Sequence, residues 1–248
     1  MPATIKGKTG DLPAKGCVLG VDGCRAGWAV VSINLCDNRV SGWIAPSFID
    51  ILSFEQVAMT IVDMPIGLCE TGPRACETLA RRVLSPLRHS SVFSSPKRAM
   101  LAFDKYEDAN AWGKQHCGKG LSKQAWMIAP KIREIDDAMT PADQARLGEG
   151  HPEIAFARLN NGKPCVWPKR KTEGEAERLA LLERAGMIEA EEIYQCLRAE
   201  HGAKALGRDD LYDAAALALT ARARIAGDAL HLTDEARDAR GLIMEIWG

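Results

Sequence analysis

The eight cysteines (Cys17, Cys24, Cys36, Cys69, Cys76, Cys117, Cys165 and Cys196) include no C-x-x-C pair and no paired Cys/His ligand spacing, which argues against structural zinc. No apolar run approaches the roughly 20 residues needed to cross a bilayer, so no membrane role is expected. The first sixteen residues are polar, with Lys6, Lys8 and Lys15 set among Gly and Pro and no apolar segment behind them. They do not read as a secretory signal. We expect a flexible tail over 1–16, a cytoplasmic protein, and cysteines that remain free thiols, most of them small buried hydrophobes. Cys24 has no ordered His partner in sequence and is read the same way. No G-x-x-x-x-G-K-[ST] loop is present, which removes an ordinary P-loop ATPase. Neither sign of charge is in excess: 32 Lys+Arg face 33 Asp+Glu, for a net charge of −1. No global field advertises nucleic acid, and any basic patch must be local. No internal repeat or low-complexity segment is visible.

What is present is a chain of 248 residues with 46% apolar content, enough to bury a full core. Cys17 to Val21 is a short apolar strand, Gly-Cys-Arg-Ala-Gly a turn, and Trp28 to Leu35 a second strand. Arg39 to Ala45 follows Asp37 and Asn38 as a third β-segment, Phe48 to Val57 is a helical candidate, and Ala58 to Asp63 returns to strand. The order is β-β-β-α-β, and the helical crossover favours parallel pairing of the returning strand. From about 72 to 148 strand patterning is lost and basic, helical pieces follow; we read a helical insertion within a single domain spanning 17–248. Ile154 to Leu159 resumes short apolar alternation after Pro152, as a strand would. Thr172-Glu173-Gly174-Glu175 resembles a capping box opening a helix that ends at Gly186. Arg208 to about Ile225 is an Ala-rich helix ending before Gly227.

Four aspartates sit where elements change: Asp22 and Asp63 at strand ends, Asp210 and Asp213 at i,i+3 in the first turn of the last helix. Ala214, Ala215 and Ala218 let that turn approach a sheet closely. Four carboxylates brought together would repel, so they point to a hard divalent cation, Mg2+ or Mn2+; two such ions stabilise the attacking and leaving oxygens of phosphoryl displacement. Each acid also has a plainer role. Asp210 (or Asp209) can cap the helix, and Asp22 and Asp63 can be turn residues. Asp213 lies deeper on an apolar face. His151-Pro152-Glu153 offers an acid ligand and a proton donor, or merely an extended entry to the next element. Arg25, Lys131 and Lys171 are candidates for substrate phosphate; Lys169, Arg170, Arg74, Arg81 and Arg82 have the same ambiguity between phosphate contact and solvated face. Trp112 and Trp126 can stack on bases or belong to the core.

Taken in order, Gly20-Val-Asp-Gly-Cys-Arg-Ala-Gly-Trp28, Asp63-Met-Pro-Ile-Gly67, Ser91-Val-Phe-Ser-Ser-Pro96, Pro130-Lys-Ile132, His151-Pro-Glu153, Asp209-Asp-Leu-Tyr-Asp-Ala214 and the closing Asp238-Ala-Arg-Gly-Leu-Ile-Met-Glu-Ile-Trp247 resemble the domain of unknown function 429 family, regarded as predicted nucleases of the ribonuclease H-like superfamily. Asp210-x-x-Asp213-Ala is more distantly similar to the terminal helix of RuvC-type Holliday junction resolvases. The resemblance implies an α/β fold with a ribonuclease H-like mixed sheet, flanking helices and a helical insertion. It also implies a metal-dependent hydrolase, a nuclease working by two metal ions on a nucleic-acid partner, with Asp22, Asp63, Asp210 and Asp213 as ligands and Glu153 beside them. Asp63 stands where those resolvases carry Glu. Alternatives on the same fold are a nucleotide or phosphate-ester hydrolase of small substrates, and a non-catalytic nucleic-acid-binding or regulatory module.

Overall fold

The computed structural model describes residues 3–4 and 16–248, so the tail expected over 1–16 lies almost wholly outside the described residues. Five main strands form a mixed sheet: β2 (Cys17–Cys24), β3 (Gly27–Asn34), β4 (Val40–Ala45), β5 (Val57–Val62) and β6 (Leu147–Glu149), with a two-residue strand, β1 (Ala3–Thr4), on the β4 edge. The spatial order is β1-β4-β3-β2-β5-β6. β2, β3 and β4 form an antiparallel meander. A one-and-a-half-turn helix, α1 (Phe48–Leu52), then returns the chain to β5, which pairs parallel with β2, Val21 opposite Val62. The expected strand-strand-strand-helix-strand order and parallel return are both present.

Period-two alternation divides β2 between two cores. Leu19 and Val21 face one side with Trp28, Val30, Trp43 and Val62; Val18 faces the other with Ala29, Val31, Met59 and Ile61. The Val18 side is covered by α5 (Pro152–Leu159), α6 (Thr172–Arg184), α7 (Ala190–His201) and above all α8 (Arg208–Ala226), which is buried continuously from Leu211 to Ala221. The Leu19 side is covered by α1 and by Ala129, Ile132 and Ile135 of α4 (Lys123–Ala138).

The segment between β5 and β6 carries α2 (Ala75–Val83), α3 (Tyr106–Cys117) and α4, so one helix of the expected insertion doubles as a layer of the core. Trp112 and Trp126 are partly buried against a small cluster of Met100, Ala109, Leu121 and Ala125, which is their core role. A C-terminal hairpin, β7 (His231–Arg237) and β8 (Ile243–Trp247), packs on α2 through Leu232, Met244 and Ile246. Asp238 fastens it, accepting from the amides of Leu68, Arg240 and Leu242 and pairing with Arg98.

Two local expectations need correction. Ile154–Leu159 is helical, not a strand: Pro152 takes the first helical position, where its fixed φ suits the turn and no amide is missed. The apolar run looked strand-like because every residue from Pro152 to Ala157 is buried. Thr172 is the first residue of α6, and the N-cap is Lys171 without a side-chain cap bond; the helix ends at Arg184, with Gly186 at φ 88° just beyond. All eight cysteines are free thiols, and burial raises that of Cys24. Among the described residues no helix is long and apolar enough to cross a membrane.

Candidate metal centre

Asp22 is two residues beyond Gly20 on β2, and Asp63 two residues beyond Ile61 on β5, so alternation turns both toward α8. The parallel register sets them side by side, and the Asp63 amide donates to the Val21 carbonyl at 2.9 Å. α8 reaches them because β2 has no side chain at Gly20: a Cβ there would lie 2.0 Å from the Ala214 oxygen and 2.0 Å from the Ala218 nitrogen. Asp213, one residue before that contact, completes the group. One carboxylate oxygen from each of Asp22, Asp63 and Asp213 lies within 4.8 Å of the others. Asp22 and Asp213 are buried and Asp63 half-buried.

The electrostatics are those of an under-compensated acidic cluster. Burial, then Asp63 and Asp213, raises Asp22 well above the usual carboxylate range. Burial, with Asp213, raises Asp63 to about 8. Burial also raises Asp213, against the pull of Lys169. Lys169 is the local counter-charge, its Nζ 2.6 Å from Asp213 Oδ2 and 3.6 Å from Asp209. Burial disfavours that ammonium, but Asp213 and Asp22 hold it above its ordinary value. One ammonium does not offset three acids, and Asp213 Oδ1 is left buried with no hydrogen-bond partner although the residue is only 1% exposed. An orphaned buried carboxylate oxygen is costly unless a cation meets it.

The donor set fits a small hard cation. Three carboxylates, one of them with an orphaned buried oxygen, are the oxygen ligands that such a cation takes. Asp22, Asp63 and Asp213 are the residues that would hold such an ion.

Asp210 plays a different part. Its Oδ2 accepts from the Gly207 amide at 2.9 Å, closing the first turn of α8 from the N3 position. Burial, offset by that bond, raises it to about 6. The N-cap itself is Gly207, so Asp210 caps the helix from N3 and not as the N-cap residue, and the triad excludes it. Glu153 pairs with the buried Arg178 through Oε1, while Oε2 is buried and unpartnered. His151 is the N-cap of α5, its Nδ1 accepting from the Glu153 amide at 3.2 Å, and burial lowers its pKa. It lines, with Asp22, Asp63, Glu149 and Lys131, a cavity of about 220 Å³.

Lys131 reaches this cavity from α4. Its Nζ donates to the Gly27 carbonyl at 2.5 Å and stands 4.2 Å over the Trp28 ring, and burial lowers its pKa. Lys171 is exposed at the start of α6 and Arg25 is exposed in the β2–β3 turn; Lys169, two residues before Lys171, is the one that meets the acids. Sequence reasoning missed Glu149. It accepts from the Ile66 amide and is gripped by Arg74, whose guanidinium is 1% exposed. Burial outweighs Arg74 and raises Glu149 to about 7. Arg74 is thus neither a phosphate contact nor a helix-surface residue.

The family model described as a protein of unknown function, DUF429, matches residues 20–238. The chain belongs to the DUF429 family. No curated protein and no solved structure matches it. The DUF429 match runs from the glycine that admits α8 to the aspartate that fastens the C-terminal hairpin, and so includes all three acids of the triad.

Proposed function

We propose that the protein is a metal-dependent phosphodiesterase, a nuclease on a ribonuclease H-like sheet, with Asp22, Asp63 and Asp213 as the ligands of a magnesium or manganese ion. One observation carries the reading: three carboxylates converge within 4.8 Å where one ammonium is their counter-charge and Asp213 Oδ1 has no partner. The β-β-β-α-β order, with the first strand parallel to the returning one and an acid at the end of each, supports the ribonuclease H-like assignment. A divalent cation bound here supplies a Lewis acid that lowers the pKa of water and neutralises phosphoryl charge.

The chain's own groups do the rest. Asp22 and Asp63 are fixed by adjacent parallel strands and Asp213 by the most buried helix, so the ligand geometry is set before any cation arrives. Lys169 offsets part of the cluster's charge and stands ready for an equatorial phosphate oxygen. Lys131, with its pKa lowered, offers a second cation in the wall of the cavity. His151, kept neutral by burial, presents an imidazole suited to proton exchange with a leaving oxygen. A second ion of a two-metal scheme would draw on Asp210, whose Oδ2 accepts from the Gly207 amide.

The test is turnover with Mg2+ or Mn2+ on branched DNA, linear DNA, RNA–DNA hybrid, RNA and free nucleotides, with Asp22→Asn and Asp213→Asn as controls. We expect cleavage of a polymeric substrate that both substitutions abolish. Cleavage that survives both would remove the triad from the mechanism. Turnover confined to free nucleotides would identify a small-substrate hydrolase, and binding without turnover a regulatory module.

A further inference from the structure

A second, larger cavity of about 1020 Å³ opens beside the acidic one, between α2, the 92–100 segment, α3 and residues 119–122. The two share Arg74, Glu77, Val92 and Phe93 in their walls, so they are neighbouring chambers. Their charges are opposite. Arg74 is spent on Glu149, but Arg81, Lys97, Lys114 and Lys119 also line the larger cavity, and its one carboxylate, Glu77, is buried and engaged by Arg81 and Ser95. Among the described residues no carboxylate lies within 4.0 Å of the Lys114 or Lys119 ammonium, and both side chains are exposed. Arg81 is paired with Glu77 and the Lys97 ammonium donates to the Gly72 carbonyl, so in a chain of net charge −1 Lys114 and Lys119 are the cations of this cleft that no carboxylate neutralises.

We propose that this cleft holds a short single-stranded run of phosphodiester beside the acidic cavity, with its phosphates on Lys97, Lys114 and Lys119 and one base on the face of Phe93. The inference rests on the phosphodiesterase reading of the metal centre and adds where the rest of the substrate lies. Three features select the occupant. The volume is at the upper end of pockets that enclose a single small molecule, about 300–1,000 Å³, which leaves room for more than one nucleotide. Lys97, Lys114 and Lys119 line one concave cleft, which suits a groove that tracks a single strand's backbone. Phe93 is half-buried and borders both chambers, the position from which an aromatic ring stacks on a base without reading its identity.

The test is fluorescence anisotropy of labelled oligothymidylate and oligouridylate in EDTA, where no cleavage occurs, with a labelled duplex, unlabelled mononucleotide and inorganic phosphate as comparisons. We expect a strand to bind, more tightly than the duplex, and to resist competition by mononucleotide or phosphate. Lys114→Gln with Lys119→Gln should weaken binding by about tenfold and reduce the slope of log affinity on log salt by about 1.4, the counterion release of two single-strand contacts. Phe93→Leu should weaken binding by about fivefold or more without changing the slope. Failure of both strands to bind, indifference to the lysine pair, or equal affinity for duplex or mononucleotide would overturn the proposal. An inert metal centre with strand binding that depends on Lys114 and Lys119 would sink the phosphodiesterase reading and keep the cleft.

Discussion

Gly20 of β2 and Ala214 of α8 are in backbone contact, with no space between them for a methyl group: a Cβ at Gly20 would fall 2.0 Å from the Ala214 carbonyl oxygen. That contact sets the distance between Asp22, two residues along the strand, and Asp213, the preceding residue of the helix. Backbone cannot yield as a flexible side chain can, so Gly20→Ala must push α8 off the sheet. Overpacking of this kind costs about 1–3 kcal/mol, and each kcal/mol lowers Tm by about 2–4 °C in a chain of this size. Thermal denaturation should show that loss together with a weaker response to Mn2+. An unchanged Tm would mean that α8 is not held where Gly20 admits it.

The raised carboxyls give a pH dependence of definite sign. A carboxyl is half-protonated near pH 3.9 in the unfolded chain, whereas burial lifts Asp63 to about 8 and raises Asp22 and Asp213 as well. Between those limits the folded state holds more protons than the unfolded one, so stability falls as pH rises. Without metal, Tm should decline from about pH 5 to about pH 8, and Asp63→Asn should flatten the decline. Mn2+ requires the ionised acids, so its stabilising effect should grow over the same interval. A metal-free profile that rises toward pH 8, measured by differential scanning fluorimetry in EDTA, would contradict the cluster's electrostatics.

Arg74 and Glu149 predict an asymmetry between single and double substitution. Arg74→Met leaves the Glu149 carboxylate buried without its guanidinium, and removal of one partner of a buried pair costs about 3–5 kcal/mol. Arg74→Met with Glu149→Leu removes both charges and should recover part of that loss. The residual is the Ile66 peptide, whose amide loses its acceptor and whose carbonyl loses the Arg74 donor, at about 1–3 kcal/mol for a buried group left unpaired. Urea denaturation of the two single variants and the double completes the cycle. Additive losses would mean that the pair is not coupled.

The sheet was legible in sequence because its signals are local. The meander has turn residues at Asp37 and Asn38, and β5 stops at Asp63-Met64-Pro65, so strand ends and the acids on them follow from punctuation. Asp213 was legible from its position among small and apolar neighbours. α5 was misread because a fully buried helix and a buried strand are both apolar runs, and the deciding feature, Pro152 as the first helical residue, looks the same before either. Glu149 was missed, and Lys169 was read only as a phosphate contact or a solvated face, for another reason. Each acquires its role from a partner far along the chain, Arg74 for one and Asp213 for the other, and nothing in the sequence around either residue records that meeting. β6 is three residues long, too short for any periodicity to register.

Asp210 and Asp213 are three residues apart on one helix, and the structure gives them different tasks that substitution can separate. Asp210 holds the Gly207 amide and is outside the triad. Asp210→Ala should therefore lose about 1 kcal/mol, as other lost caps do, and keep the rise in Tm that Mn2+ produces. Asp213→Asn retains the shape of the side chain but presents a neutral amide where the orphaned oxygen stood, and it should abolish that rise. Both outcomes are read by thermal shift with and without Mn2+, independently of any substrate. If Asp210→Ala also abolished the metal response, ion binding would extend over all four aspartates, and the Gly207 cap would be a contact that the cation displaces.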